Sequence, residues 1–137
     1  GLGGRRMIVV DTHALIWDAL APDRLSATAQ RALSDANAGD GLLICDISLW
    51  EIAMFIQRGR VQVSVACQSL INLILQANKT RVQPITPLIA TLSVQLPAGI
   101  NNDPADRLIV ATALAENAPL LTADRNLRDT NVVTTIW

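Results

Sequence analysis

Four acidic residues, Asp11, Glu51, Asp106 and Asp124, are separated by about forty, fifty-five and eighteen residues, yet each stands beside the end of a short apolar run. Asp11 closes Met7-Ile-Val-Val. Glu51 lies in the first turn of a helix that follows the run Leu42-Leu-Ile-Cys. Asp106 lies in the first turn of the helix opened by Asp103-Pro104, and Asp124 follows Leu120-Leu-Thr-Ala. Carboxylates gathered without an ammonium group call for a hard divalent cation bound through oxygen, Mg2+ or Mn2+. The only lysine is Lys79, and the single His13 cannot complete a zinc site with Cys45 and Cys67, whose spacing is not that of metal ligands.

Each acid also has a plain structural reading. Asp11 can cap the helix that follows it. Ser48-Leu-Trp-Glu51 has the S-x-x-E pattern of a capping box. Asp106 benefits from the positive end of its own helix, and Asp124 can hold a turn with Arg125 and Asn126. Glu51 is the hardest to dismiss in this way. It is one of two glutamates, and its helical neighbours at −4, +3 and +4 are Ile47, Met54 and Phe55. A charge on such an apolar stripe is costly unless something compensates it.

The elements that must bring these acids together alternate between strand and helix. Buried strands are expected at 7–11 and 42–45, a weak one at 81–85, and two more at 119–122 and 132–136. Helices are expected at 13–20, 26–36 with Ser26 as N-cap, 48–58 ending at Gly59, 64–77, 86–96 and 103–117. This order predicts an α/β fold with three layers, α/β/α, around a mostly parallel central sheet. In such sheets, sites form outside the carboxyl ends of the strands, the edge to which all four acids map. No repeat or linker divides the chain, so residues 7–137 are read as a single domain. Residues 1–6, Gly-Leu-Gly-Gly-Arg-Arg, are read as a leader or expression remnant before a natural start at Met7.

Composition narrows the function. Half of the residues are apolar and 17% are charged, which excludes a disordered chain. No apolar stretch reaches the roughly 18 residues a membrane span needs, and no signal peptide is visible, so a cytoplasmic protein with two buried free thiols is expected. A net charge of −1 gives no overall attraction for a polyanion, although ten of the eleven basic residues are arginine, and a local arginine patch can hold phosphates. One Phe, no Tyr and three Trp argue against a base-stacking platform.

Four segments in this order, Ile-Val-Val-Asp11-Thr-His-Ala-Leu, Ser48-Leu-Trp-Glu51-Ile-Ala, Asp103-Pro-Ala-Asp106-Arg-Leu-Ile-Val-Ala and Leu-Leu-Thr122-Ala-Asp124, resemble the PIN domain (PilT N-terminus) family. The closer likeness is to its VapC-type toxins, and it covers nearly all of residues 7–137. The resemblance implies a Mg2+- or Mn2+-dependent endoribonuclease that cleaves RNA phosphodiesters with metal-activated water. It places the family's catalytic, metal-binding acids on Asp11, Glu51, Asp106 and Asp124, with Thr12, Asp103 and Thr122 as candidate outer-shell groups. It further implies a homodimer held inactive by a cognate VapB-type antitoxin, part of a type II toxin-antitoxin system.

Arg107, Arg125 and Arg128 lie close in sequence to the acids and are candidate phosphate contacts, against the plain reading of solvated surface arginines. Trp50, Met54 and Phe55 on one helix, and the apolar faces of 64–77, predict the dimer contact and a groove for the antitoxin, with Trp50 itself expected in the core. Two rivals remain. A receiver or haloacid-dehalogenase fold would need a lysine after a late strand, or an aspartate where His13 stands. A non-catalytic PIN-like module that binds RNA or protein without cutting is the other.

Overall fold

The computed structural model describes residues 7–137; the expected leader, 1–6, lies outside the described residues. Its centre is a five-stranded sheet in which every pairing is parallel. The strands are β1 (Ile8–Val10), β2 (Leu42–Cys45), β3 (Thr80–Gln83), β4 (Leu120–Leu121) and β5 (Thr135–Ile136), in the order β3-β2-β1-β4-β5. β1 is therefore central, with Ile8 opposite Leu42 and Val9 opposite Leu120. Every residue of β1, β2 and β4 is buried, as the unbroken apolar runs require of strands covered on both faces.

Successive strand residues point to opposite faces, and the two halves of the core follow that alternation. Ile8, Val10, Leu42 and Ile44 pack with helices α1 (Thr12–Leu20), α2 (Ala27–Ala38), α3 (Ile47–Gln57) and α4 (Cys67–Gln76). Met7, Val9, Leu43 and Cys45 pack with α6 (Pro104–Ala115) and α7 (Arg125–Asp129), while α5 (Pro87–Val94) lies against α6. The three-layer α/β/α arrangement expected from the sequence is the fold observed.

Local chemistry explains most of the boundaries. Ser26 and Thr86 cap α2 and α5, accepting from Ala29 N at 3.0 Å and Ile89 N at 3.2 Å. Gly59 takes a φ of 72° after α3, the left-handed exit that glycine favours. α4 starts at Cys67 rather than near residue 64, where the β-branched Val65 would have stood in the first turn. β3 stops at Gln83, before Pro84, which has no N–H to give the sheet. α6 stops at Ala115, and Asn117 at φ 51° turns the chain toward β4. A 3₁₀ turn at Pro22–Arg24 and the five-residue α7 were not expected.

Three expectations are corrected, at Ser48, Trp50 and Cys67. Ser48 does not open α3: the helix starts at Ile47 after Asp46, and Ser48 is fully buried within its first turn. Trp50 is not in the core but 57% exposed. At about 100° per residue, Ser48, Glu51, Ile52 and Phe55 form the inward face of α3, and Trp50 falls on the opposite side. Cys45 is buried as expected, whereas Cys67 is only half-buried. Among the described residues no helix is long and apolar enough to cross a membrane.

Candidate active site

The chain leaves β2 for β3 on one side of β1 and returns to β4 on the other. The carboxyl ends of β1 and β4 thus flank the point where the strand order reverses. Asp11 sits there. Its backbone N–H donates to Leu121 O at 3.0 Å, continuing the sheet, and its carbonyl accepts from Leu15 N at 3.0 Å, starting α1. The side chain caps nothing. It accepts instead from Thr122 Oγ1 at 2.7 Å, and Thr122 Oγ1 also receives Asp124 N at 3.1 Å. One buried hydroxyl therefore ties the first acid to the loop carrying the last.

A second buried hydroxyl does the same for Glu51. Thr12 Oγ1 donates to Glu51 Oε1 at 2.5 Å and lies 2.7 Å from Ser48 Oγ. A hydroxyl has one proton, so Ser48 is the donor in that second contact. Glu51 is 7% exposed, and its partner is Thr12 rather than the start of its own helix. The capping-box reading does not describe this residue.

Asp106 and Asp124 are bridged by Asn101, whose Nδ2 lies 3.2 Å from Asp106 Oδ2 and 3.3 Å from Asp124 Oδ2. Asn101 is in turn fixed through its backbone N–H, which donates to Asn126 Oδ1 at 2.9 Å. Sequence reading missed Asn101 and Asn126, because an asparagine in a Pro- and Gly-containing loop looks like ordinary turn chemistry. Asp103 caps α6, accepting from Asp106 N at 3.0 Å, and Asp124 caps α7, accepting from Leu127 N at 3.3 Å. For these two acids capping and exposure to the cleft coexist, since each carboxylate has a second oxygen.

Asp11, Glu51, Asp103, Asp106 and Asp124 all line one cleft of about 580 Å³. The electrostatics reflect that crowding. Burial pushes the Asp11 carboxyl up, partly offset by the Thr122 hydrogen bond and by His13, with the Asp124 charge adding to the rise. Glu51 is also raised, first by burial and then by the charges of Asp11 and Asp103, against the lowering effect of Thr12. Asp106 is pushed up to about 7 by burial and by Asp11, Asp103 and Asp124, against the lowering effect of Asn101. Three carboxyls that resist ionising together form a donor set that fits a compensating divalent cation. Among the described residues no group of three His, Cys, Asp or Glu side chains is already gathered tightly enough to hold a metal ion.

Of the arginines singled out by sequence, Arg125 and Arg128 are exposed on α7, and Arg107 is half-buried with Nη1 enclosed and without a hydrogen-bond partner. None of the three lines the cleft. Arg58 and Arg60, just past α3, do so, with His13, Trp17 and Phe55.

The sequence pattern of the PIN domain family matches residues 8–133. Ribonuclease VapC22 of Mycobacterium tuberculosis (strain ATCC 25618 / H37Rv) is 36% identical over 121 residues, which span 88% of this chain and 89% of that protein. Among solved structures, VapBC2 from Rickettsia felis, bound to a DNA fragment from their promoter, superposes with a TM-score of 0.72 at 16% identity, covering 94% of this chain and 96% of that one. A toxin-antitoxin complex from Klebsiella pneumoniae gives 0.64 at 17%, covering 95% and 96%. At such identities these two likenesses speak to the fold alone. The matched family pattern and the 36% relative go further, and by them the chain belongs to the PIN domain family.

Proposed function

We propose that residues 7–137 form one catalytic domain, a divalent-metal-dependent endoribonuclease that acts as the toxin of a VapBC-type toxin-antitoxin pair. The observation that carries this reading is the convergence of Asp11, Glu51, Asp106 and Asp124, from four separate elements, on one cleft where three of them have raised pKa values. The 36% identity to a ribonuclease of the VapC group supports it.

Asp11, Glu51, Asp106 and Asp124 would hold Mg2+ or Mn2+. The ion, when bound, supplies the positive charge that activates water and stabilises the charge developing on a phosphoryl oxygen. The protein's own residues do the rest. Thr122 and Thr12 aim Asp11 and Glu51, and Asn101 holds Asp106 and Asp124 at a common distance. Asp103 borders the site as an outer-shell acid. Arg58 and Arg60 offer charge-assisted hydrogen bonds to phosphates in the cleft, and Arg125 and Arg128 to phosphates further along the strand.

A VapB-type antitoxin is the proposed protein partner, and an arginine delivered by it would neutralise the acids in place of metal. The test is to titrate Mg2+ or Mn2+ into the pure, metal-free chain in the presence of RNA, then to repeat the assay with the chain co-purified with the small gene expected beside its own. Cleavage that starts with metal, stops with chelator and is suppressed in the complex is the expected result. RNA binding without cleavage at any metal concentration would favour a non-catalytic module instead.

A further inference from the structure

His13 stands where two cavities meet. The carboxylate cleft of about 580 Å³ adjoins a second cavity of about 480 Å³ between α1 and residues 60–62, and His13, Trp17, Phe55 and Arg60 line both. The chain's single histidine, its single phenylalanine and two of its three tryptophans are collected here. The His13 ring centroid lies 5.1 Å from that of Phe55 and 5.9 Å from that of Trp17, and Trp17 meets Trp137 at 5.9 Å. Phe55 is buried and Trp17 half-buried, whereas His13 is exposed. Both contacts are tilted, by 49° with Trp17 and 32° with Phe55, so the imidazole rests against two carbon-rich rings while the residue itself stays open to solvent. Guanidinium groups sit on the same rings, Arg24 at 4.6 Å from the Trp17 centroid and Arg60 at 5.8 Å from that of Phe55. Low aromatic content argued against a stacking surface; the placement of these few rings argues for one.

We propose that His13, with Arg60 beside it, forms a subsite for the nucleotide next to the scissile phosphate of a single-stranded RNA, the base stacking on His13 and its phosphate meeting Arg60. The inference rests on the ribonuclease reading and deepens it. An exposed aromatic ring held by its neighbours can take any base by its π-face, and the neighbouring guanidinium meets the anion that every nucleotide brings. The juxtaposition with Asp11, two residues before His13, places this subsite directly beside the acids.

The experiment uses the Asp11→Asn protein, which should bind RNA without cutting it, with short homopolymeric RNA oligomers and an abasic oligomer of the same length, read by fluorescence anisotropy. His13→Ala and His13→Gln should each weaken the base-bearing oligomers by about tenfold, the worth of one stacked base, while leaving the abasic oligomer unchanged. His13→Phe should restore the loss. Arg60→Gln should weaken both kinds of oligomer and reduce the salt dependence of binding by about one ion. Equal losses on base-bearing and abasic oligomers, no loss at all, or failure of phenylalanine to restore binding would overturn the subsite. If the wild-type chain still cuts RNA in that case, only the subsite is lost. If it neither binds nor cuts RNA with metal present, the ribonuclease reading fails and the subsite with it.

Discussion

Replacing Thr12 by valine keeps the volume of a fully buried side chain but removes the donor to Glu51 and the acceptor for Ser48. Two buried polar groups are then left without their partner, so Thr12→Val should lower unfolding stability by about 1–3 kcal/mol in denaturant titration at pH 8. A loss below about 0.5 kcal/mol would mean that water replaces the hydroxyl. Titration of the acids gives a second expectation. A carboxyl raised to about 7 in the native state binds its proton more tightly than in the unfolded chain. Between the ordinary carboxylate range and about 7 the native state then carries the extra proton, and stability falls as pH rises through that window. Asp11 and Glu51 act in the same direction. Metal-free protein should accordingly melt higher at pH 5 than at pH 7.5. Asp106→Asn should remove part of that slope and stabilise the protein at pH 7.5 by about 1 kcal/mol, once solvent screening is allowed for. A melting temperature that rises from pH 5 to 7.5 would contradict the crowded cluster.

At the scale of elements, β2 depends on how closely it approaches the turn before β3. Gly41 has a φ of 92°, and a Cβ there would stand 2.4 Å from Lys79 O. Gly41→Ala should cost about 2–4 kcal/mol, from backbone strain together with a clash against backbone that cannot move aside; thermal melts of the pair measure it. Strand and helix order was legible because β1, β2 and β4 are unbroken apolar runs, and because Ser26, Thr86-Pro87 and Asp103-Pro104 announce helix starts. The convergence of the acids was legible for the same reason, since parallel strands send their carboxyl ends to one edge. What was not legible depended on side-chain direction across long sequence distances. Nothing local tells Ser48 that its partner is Thr12 rather than its own helix, or Asn101 that it will bridge two aspartates. Trp50 was misplaced because Ile47, Ser48, Glu51 and Phe55 do not declare from sequence which side of α3 is inward. The short α7 escaped because five residues carry almost no periodicity.

For the whole molecule, Trp50 on α3, Leu88 and Val94 on α5, and Leu73 on α4 leave large apolar side chains in water. We propose that a second copy of this chain covers part of this surface, and the chain is expected to be a homodimer at micromolar concentration. Light scattering that returns a monomer would defeat this. Metal should act on the folded state only, so Mg2+ or Mn2+ at about a hundred times its dissociation constant should stabilise the native protein by about 2.7 kcal/mol, seen as a concentration-dependent rise in melting temperature. The most direct test of the central claim is RNA cleavage by the Asp11→Asn protein. Asparagine keeps the shape of the side chain and can still meet Thr122, but removes the charge at the centre of the cluster. The prediction is a folded protein, by circular dichroism, whose metal-dependent cleavage falls to background while the wild type remains active under the same conditions. Cleavage at the wild-type rate by pure Asp11→Asn protein would contradict the assignment of this cleft as the nuclease site.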